Sequence, residues 1–265
     1  MKTVKYLLIF IWAISMFIAC NGPDRNVQHG AGTDELTGVQ ALLWYQQAAE
    51  VDAIYLQGYN VASDRIREYV AAEGSHPPAV VLDIDETVLD NSPFNVDMLR
   101  KGYAFSEEKW AVWCELRKAL PLPGVLEFTK LADSLGIEVF YVSNRASELM
   151  DATLDNMQEY GLPNADEAHV FLKTTTSSKD ARRALISKDY EVILLLGDNL
   201  GDFDGIYDHR SDHYGKSRVM QHREQFGRRF IVFPNPIYGS WVRASFPEGM
   251  PGEQEVLDHL RGYGQ

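Results

Sequence analysis

The sequence predicts an α/β protein built on a mostly parallel sheet with helices on both faces. Three observations predict it. Short branched-apolar runs at 80–84, 137–143 and 191–196 alternate with stretches patterned at helical spacing. Each run breaks off into polar or acidic residues: Asp83-Ile84-Asp85, Ser143-Asn144 and Gly197-Asp198. The hydrophobic fraction of 45% over 265 residues is enough to cover a sheet on two sides.

The elements follow in order. Residues 34–73 carry apolar residues such as Leu42, Leu43, Ala49, Ile54 and Val61 at helical spacing. Residues 80–84 form the first strand, and 106–119 read as one amphipathic helix. Pro121-Leu122-Pro123-Gly124 breaks the chain, and a new helix runs to Gly136. A strand at 137–143, a helix at 147–160 and a short strand at 169–173 come next. A helix opens near Ser177, a strongly apolar strand spans 191–196, and a last strand lies within 229–235. No internal repeat or low-complexity segment interrupts this order.

The first twenty residues, MKTVKYLLIFIWAISMFIAC, place two lysines before an apolar core and a small Ala19 before Cys20. That is the layout of a secretory signal, and the cysteine at the break makes it resemble a bacterial lipoprotein signal cleaved before a lipidated Cys20. Phe17 stands where such signals usually carry Leu, and a plain signal peptide or an uncleaved anchor is the alternative. The expected organisation is a signal at 1–19, a lipidated polar tether at 20–33 and one domain at 34–265. Only Cys20 and Cys114 are present, so a lipidated Cys20 leaves Cys114 without a partner. Cys114 lies in an apolar helical pattern and reads as a small buried hydrophobe.

The formal charge of −13 argues against a broad nucleic-acid-binding surface. Signal cleavage removes Lys2 and Lys5 and no acid, which takes it to −15. Such a protein needs a local positive site to handle an anion, and a metal ion supplies one.

In an open α/β sheet, ligands bind beyond the carboxyl ends of the strands. Three predicted strands deliver Asp83, Asp85, Ser143, Asp198 and Asp202 to that edge, and Lys179 stands at a helix start. Carboxylates grouped with a lysine suit phosphoryl transfer through a hard divalent cation such as Mg2+. One aspartate attacks phosphorus and a second carries the proton for the leaving alcohol, so their environments must differ. A single Asp after a strand is usually a turn or cap residue, but that account does not cover four acids, a serine and a lysine in this order. Arg182 and Arg183 read as a solvated helix face. His209, His213 and His222 read as surface histidines, because their spacing fits no compact metal site.

Asp-Ile-Asp-Glu-Thr at 83–87, the strand ending in Ser143, Lys179, and GDNLGDF at 197–203 resemble the four motifs of the haloacid dehalogenase phosphatases. LDIDETVLDNSPF, FYVSNR, KTTTSSKDARR, YDHRS and FPNPIYGSW extend the resemblance to the class C acid phosphatases, the lipoprotein e family of the bacterial outer membrane, over residues 34–262. The resemblance implies a haloacid dehalogenase-like fold with a small helical cap inserted at about 88–125. It implies Asp83 as nucleophile and Asp85 as general acid and base, with Asp83, Asp198 and the Asp85 carbonyl on magnesium. Ser143, Asn144 and Lys179 would bind phosphate, and Asp202 would act through metal-bound water or by orienting Lys179. Lys173 is the rival for the lysine role, and TTT at 174–176 departs from the charged residues usual in relatives.

Relatives hold the base of a nucleoside monophosphate between two aromatic rings, for which Trp110 and Tyr238 are the matching positions. Trp113 and Trp241 are near alternatives, and core packing is the other account of each ring. The function implied is a magnesium-dependent hydrolase of nucleoside 5′-monophosphates and other monoesters, acting through an aspartyl-phosphate. The alternatives are a broad acid phosphatase or phosphotransferase, and an inactive lipid-anchored binding protein. Membrane attachment through the lipid, an envelope location and a homodimer complete the expectations.

Overall fold

The computed structural model describes residues 36–71, 76–210, 213–247, 253–260 and 262. The expected signal, tether and Cys20 lie outside the described residues. Two helices, α1 (Leu36–Gln47) and α2 (Ala49–Ala71), lead into strand β1 (Pro78–Leu82). A ribbon strand β2 (Leu89–Asp90), helices α3 (Ser92–Lys101) and α4 (Glu107–Glu115), and ribbon strand β3 (Leu120–Pro121) follow. Next come α5 (Val125–Ser134), β4 (Glu138–Ala146), α6 (Met150–Glu159), β5 (Val170–Lys173), α7 (Asp180–Ile186) and β6 (Glu191–Gly197). The described chain closes with α8 (Lys216–Gln221), β7 (Phe230–Val232), α9 (Ser240–Ser245) and α10 (Glu253–His259). Among the described residues no helix is long and apolar enough to cross a membrane.

Five strands pair in the order β5-β4-β1-β6-β7, all parallel. Strand alternation sorts the core into two layers. Val80 and Leu82 face one side with Tyr55, Tyr59 and Ile66 of α2 and Phe128 of α5, while Ala79 and Val81 face the other with Ile186 of α7, Phe203 and Tyr207. β2 and β3 form a separate antiparallel ribbon, pairing Leu89 with Pro121, so the chain between β1 and α5 leaves and returns at one point.

Several element bounds differ from expectation for local reasons. The 34–73 helix breaks at Ala48, and Leu43 and Ile54 point to solvent. The packing face is instead carried by Tyr45, Tyr55 and Tyr59, whose rings are buried while their hydroxyls find partners. The 106–119 helix stops at Glu115, because Arg117 takes a left-handed φ of 55° before β3. The 147–160 helix starts as a 3-10 turn at Ser147–Leu149. β7 is only three residues long, and Pro234, which lacks an N–H, follows just beyond it. Cys114 is buried as expected.

Candidate active site

β1 sits at the middle of the sheet, with β4 and β6 on its two sides, so its carboxyl end opens into the crevice where the connections diverge. The Asp83 N–H still donates to the Leu196 carbonyl at 2.9 Å, so this residue ends the ladder to β6. The chain then curls tightly: Val88 and Leu89 N–H groups both donate to the Ile84 carbonyl at 2.8 Å, and Glu86 takes a left-handed φ of 58°. Hydroxyls from α2 brace this loop, Tyr55 on the Glu86 carbonyl at 2.6 Å and Tyr59 on the Thr87 carbonyl at 2.7 Å. Residues two apart at a strand end lie on the same side, and the curl directly after β1 holds Asp83 and Asp85 at the carboxyl edge of the sheet.

Asp83, Lys179 and Asp202 are all buried, and the Lys179 ammonium bonds the carboxylates of both acids, Asp202 at 2.6 Å. The other Asp202 oxygen accepts the Asn199 N–H at 2.8 Å, closing a capping box over the turn after β6. Gly197 permits this fold-back, since a Cβ there would lie 2.4 Å from Asp202 Oδ2. Burial pushes the Asp83 carboxyl up to about 7; Lys179 pulls it down, while Asp202 and Asp85 add to the rise. Burial would lower the Lys179 ammonium, but the charges of Asp202 and Asp83 outweigh it and hold it above its ordinary value.

Asp85 is bound differently. Its Oδ1 accepts from Arg145 Nε at 2.9 Å, Arg145 Nη2 at 2.8 Å and Asn91 Nδ2 at 2.9 Å, whereas among the described residues Oδ2 meets the Ser143 hydroxyl alone, at 3.2 Å. Two carboxylates two residues apart therefore have different cationic partners, a lysine for one and an arginine for the other. That is the asymmetry a nucleophile and a proton carrier require.

The donor set fits a hard divalent ion. Asp83, Asp198 and Asp202 offer oxygens that all lie within 4.8 Å of one another. Among the described residues the side-chain hydrogen-bond partner of Asp198 is a neutral one, the Asn235 amide at 2.8 Å. Burial, with the Asp202 and Asp83 charges, pushes its carboxyl well above the ordinary range. One lysine does not balance three clustered carboxylates, and a divalent cation would.

The structure brings Asp83, Asp85, Ser143, Lys179, Asp198 and Asp202 together. Lys173, the rival lysine, points elsewhere and pairs with Glu107 at 3.4 Å. Asn144 is exposed, and its Oδ1 accepts from Arg182 Nη2 at 2.7 Å. Trp110 packs edge-on to Phe94 with centroids 5.2 Å apart and lies 5.7 Å from the Arg145 guanidinium. Tyr238 lies just before α9, its N–H on Asn235 Oδ1 at 3.1 Å and the residue 37% exposed. Of their neighbours, Trp113 donates its indole N–H to Asn91 at 2.8 Å, and Trp241 donates to the Tyr238 and Asn235 carbonyls.

The expected solvated face at Arg182 and Arg183 is corrected. Arg182 reaches the Ser143 carbonyl at 2.5 Å and Asn144, and Arg183 is buried on the carbonyls of Gly201 and Asp202 at 2.9 and 2.8 Å. These arginines tie α7, and with it Lys179, to the ends of β4 and β6. Their helix is only seven residues long and lies against the site loops, so its charged side chains find carbonyls there rather than water. His209 is exposed, as expected, and His222 packs edge-on to Tyr207 with centroids 6.4 Å apart. Sequence reasoning also missed Arg145, Asn91 and Asn235. All three lie inside quoted motif stretches, but nothing local marks which of their neighbours they contact.

Comparison with known proteins agrees with this fold. The profile of the HAD superfamily, subfamily IIIB (acid phosphatase), matches residues 33–241. The class C acid phosphatase from Bacillus anthracis is 36% identical, with a TM-score of 0.80, over 86% of this chain and 99% of that one. The same enzyme with tungstate bound superposes at a TM-score of 0.81. Acid phosphatase 1 of Solanum lycopersicum is 26% identical over 167 residues, 60% of this chain and 57% of the relative. Vegetative storage protein 1 of Arabidopsis thaliana is 26% identical over 133 residues, 46% of this chain and 47% of the relative. The match thus spans about half the length of these two plant relatives. The chain belongs to the HAD superfamily, subfamily IIIB. Within it, this is a phosphatase, an acid phosphatase of the class C type, and phosphatases of the superfamily use a divalent metal.

Proposed function

We propose that this protein hydrolyses nucleoside 5′-monophosphates and other phosphate monoesters through an aspartyl-phosphate on Asp83, with magnesium as the ion. The observation that carries the reading is the split environment of the two aspartates: Asp83 held by Lys179, Asp85 by Arg145. A carboxylate oxygen of Asp83 attacks phosphorus while the bond to the alcohol oxygen breaks. Asp85 gives that oxygen its proton, and Oδ2 is the better carrier of it, since Oδ1 already accepts three hydrogen bonds and Oδ2 meets the Ser143 hydroxyl. Asp85 then takes a proton from water as the water attacks phosphorus, the bond between phosphorus and the Asp83 oxygen breaks, and inorganic phosphate leaves. Lys179, beside Asp83, offsets the repulsion between the nucleophile and the anionic substrate. Magnesium held by Asp83, Asp198 and the Asp85 carbonyl would supply further positive charge, and Asp202 would act through the ion's water or by orienting Lys179. Tungstate in the Bacillus anthracis relative is a tetrahedral oxyanion like phosphate, which supports an oxyanion site in this family.

Selectivity for nucleotides must arise away from the phosphoryl group, and Trp110 and Tyr238 are the rings for it. The lipoprotein-like sequence ending at Cys20 supports a lipid-anchored enzyme of the bacterial envelope, most naturally at the outer membrane. The test is turnover of a nucleoside 5′-monophosphate, a small alkyl phosphate and p-nitrophenyl phosphate, before and after EDTA and after magnesium is restored. Asp83→Asn should abolish all three activities with the fold intact; retained turnover removes the mechanism. Trp110→Ala and Tyr238→Ala should each cost about 1–3 kcal/mol in kcat/KM on the nucleotide alone. Equal losses on the alkyl ester would return the enzyme to a general acid phosphatase.

A further inference from the structure

Asn91 stands directly behind Asp85 and is completely buried. Its side-chain amide uses its full hydrogen-bonding capacity. Nδ2 donates to Asp85 Oδ1 at 2.9 Å and to the Leu89 carbonyl at 3.1 Å. Oδ1 accepts from the Trp113 indole at 2.8 Å and from Arg145 Nη2 at 3.3 Å. An indole N–H and a guanidinium are donors only, so the amide has one allowed orientation. Flipped, it would set N–H groups against two donors and leave Asp85 facing an oxygen. The Asn91 backbone N–H donates to the buried Glu86 carboxylate at 2.9 Å, so the main chain is pinned as well.

The far end of this chain of bonds lies on α4. Trp113 is one turn from Trp110 on the same helix, and that helix belongs to the segment between β2 and β3 rather than to the main sheet. α4 begins at a cap in which the Ser106 hydroxyl accepts the Lys109 N–H at 3.3 Å. We infer that Trp113 and Asn91 are positioning residues for proton transfer. The α4 indole sets the Asn91 amide, and Asn91 with Arg145 locks Asp85 Oδ1. Oδ2 is then the oxygen presented to the leaving group. α4 thereby joins the ring assigned to the base to the group that protonates the alcohol. The inference rests on the reading of Asp85 as the proton donor.

The experiment compares Trp113→Phe, which keeps an aromatic ring and removes the N–H, with Asp85→Asn. Each is assayed on p-nitrophenyl phosphate and on a small alkyl phosphate. For Trp113→Phe the expected result is a kcat loss of about 10-fold on the alkyl ester, a fraction of the roughly 10²–10⁴-fold a general acid supplies. The loss on the nitrophenyl ester should be clearly smaller, because a good leaving group needs little protonation, and KM should stay within about twofold on both. Equal losses of Asp85→Asn on the two esters would overturn the proton-donor reading itself. A leaving-group-dependent loss for Asp85→Asn beside an equal loss or none for Trp113→Phe would overturn the positioning inference alone. A measurement independent of the variant's folding is the indole N–H resonance of Trp113 in the unmutated chain. It should exchange slowly and move on Asp85→Asn; a fast-exchanging resonance that stays in place would refute the inference.

Discussion

Replacing Lys179 by methionine keeps the length of the side chain and removes its charge. Lys179 is buried between Asp83 and Asp202, with Asp198 beside them, so the change leaves three clustered carboxylates without their shared cation. Removing one partner of a buried ion pair costs about 3–5 kcal/mol. Asp83 limits the loss: its carboxyl already lies at about 7, and without Lys179 it rises further and takes up a proton at neutral pH. The expected loss is therefore at the lower end, about 3 kcal/mol. At about 2–4 °C per kcal/mol for a domain of this size, Tm falls by roughly 6–12 °C. Lys173→Met is the control. Its ion pair with Glu107 is partly exposed at 3.4 Å, so the change should cost at most about 1 kcal/mol. The assay is thermal unfolding by circular dichroism in EDTA, with turnover of a phosphate monoester in magnesium alongside. Lys179→Met should also lose at least about 10²-fold in kcat, as expected for removing a charge aimed at the phosphoryl group. If Lys179→Met melts and turns over like the unmutated protein, or if Lys173→Met takes both losses, the lysine has been placed wrongly.

Three further outcomes follow from single features. Gly197→Ala drives a methyl to 2.4 Å from Asp202 Oδ2, which displaces Asp202 from Asn199 and Lys179; kcat should fall by about 10-fold or more, with strain of about 1–3 kcal/mol seen in urea unfolding. Tyr59→Phe leaves the buried Thr87 carbonyl without the hydroxyl at 2.7 Å, and should cost about 1–3 kcal/mol in the same measurement, with its effect on kcat showing how far the loop holding Asp83 and Asp85 depends on it. Burial pushes the Cys114 thiol up to about 12, so at pH 8 roughly one in 10⁴ is thiolate and a disulfide-exchange reagent should react slowly with Cys114 in the folded protein. If the proposed lipid sits on the Cys20 sulfur, one thiol should appear on unfolding, and a second would show that this sulfur carries no lipid.

The periodicity of the chain was enough to specify the alternation of strands and helices, because burial of a strand or a helix face is written within a window of ten or so residues. Acids that terminate apolar runs marked Asp83, Asp85 and Asp198, since a charge at the end of a buried strand must emerge at the carboxyl edge of a parallel sheet. Which side chains meet there depends on strand order, and the order β5-β4-β1-β6-β7 is set by pairing between segments far apart in the chain, as at Pro78 and Glu191 of β1 and β6. Lys179 and Lys173 look alike in one dimension, yet one reaches Asp83 and the other Glu107, because β5 ends at the sheet's edge and α7 folds back toward β1. Arg182 and Arg183 resemble a solvated face until the ends of β4 and β6 place carbonyls within their reach. Asn91, Arg145 and Trp113 carry no local signal of their joint hold on Asp85. An amide, a guanidinium and an indole become one hydrogen-bonded set around Asp85 only when three separate segments meet, and that meeting is a property of tertiary structure alone.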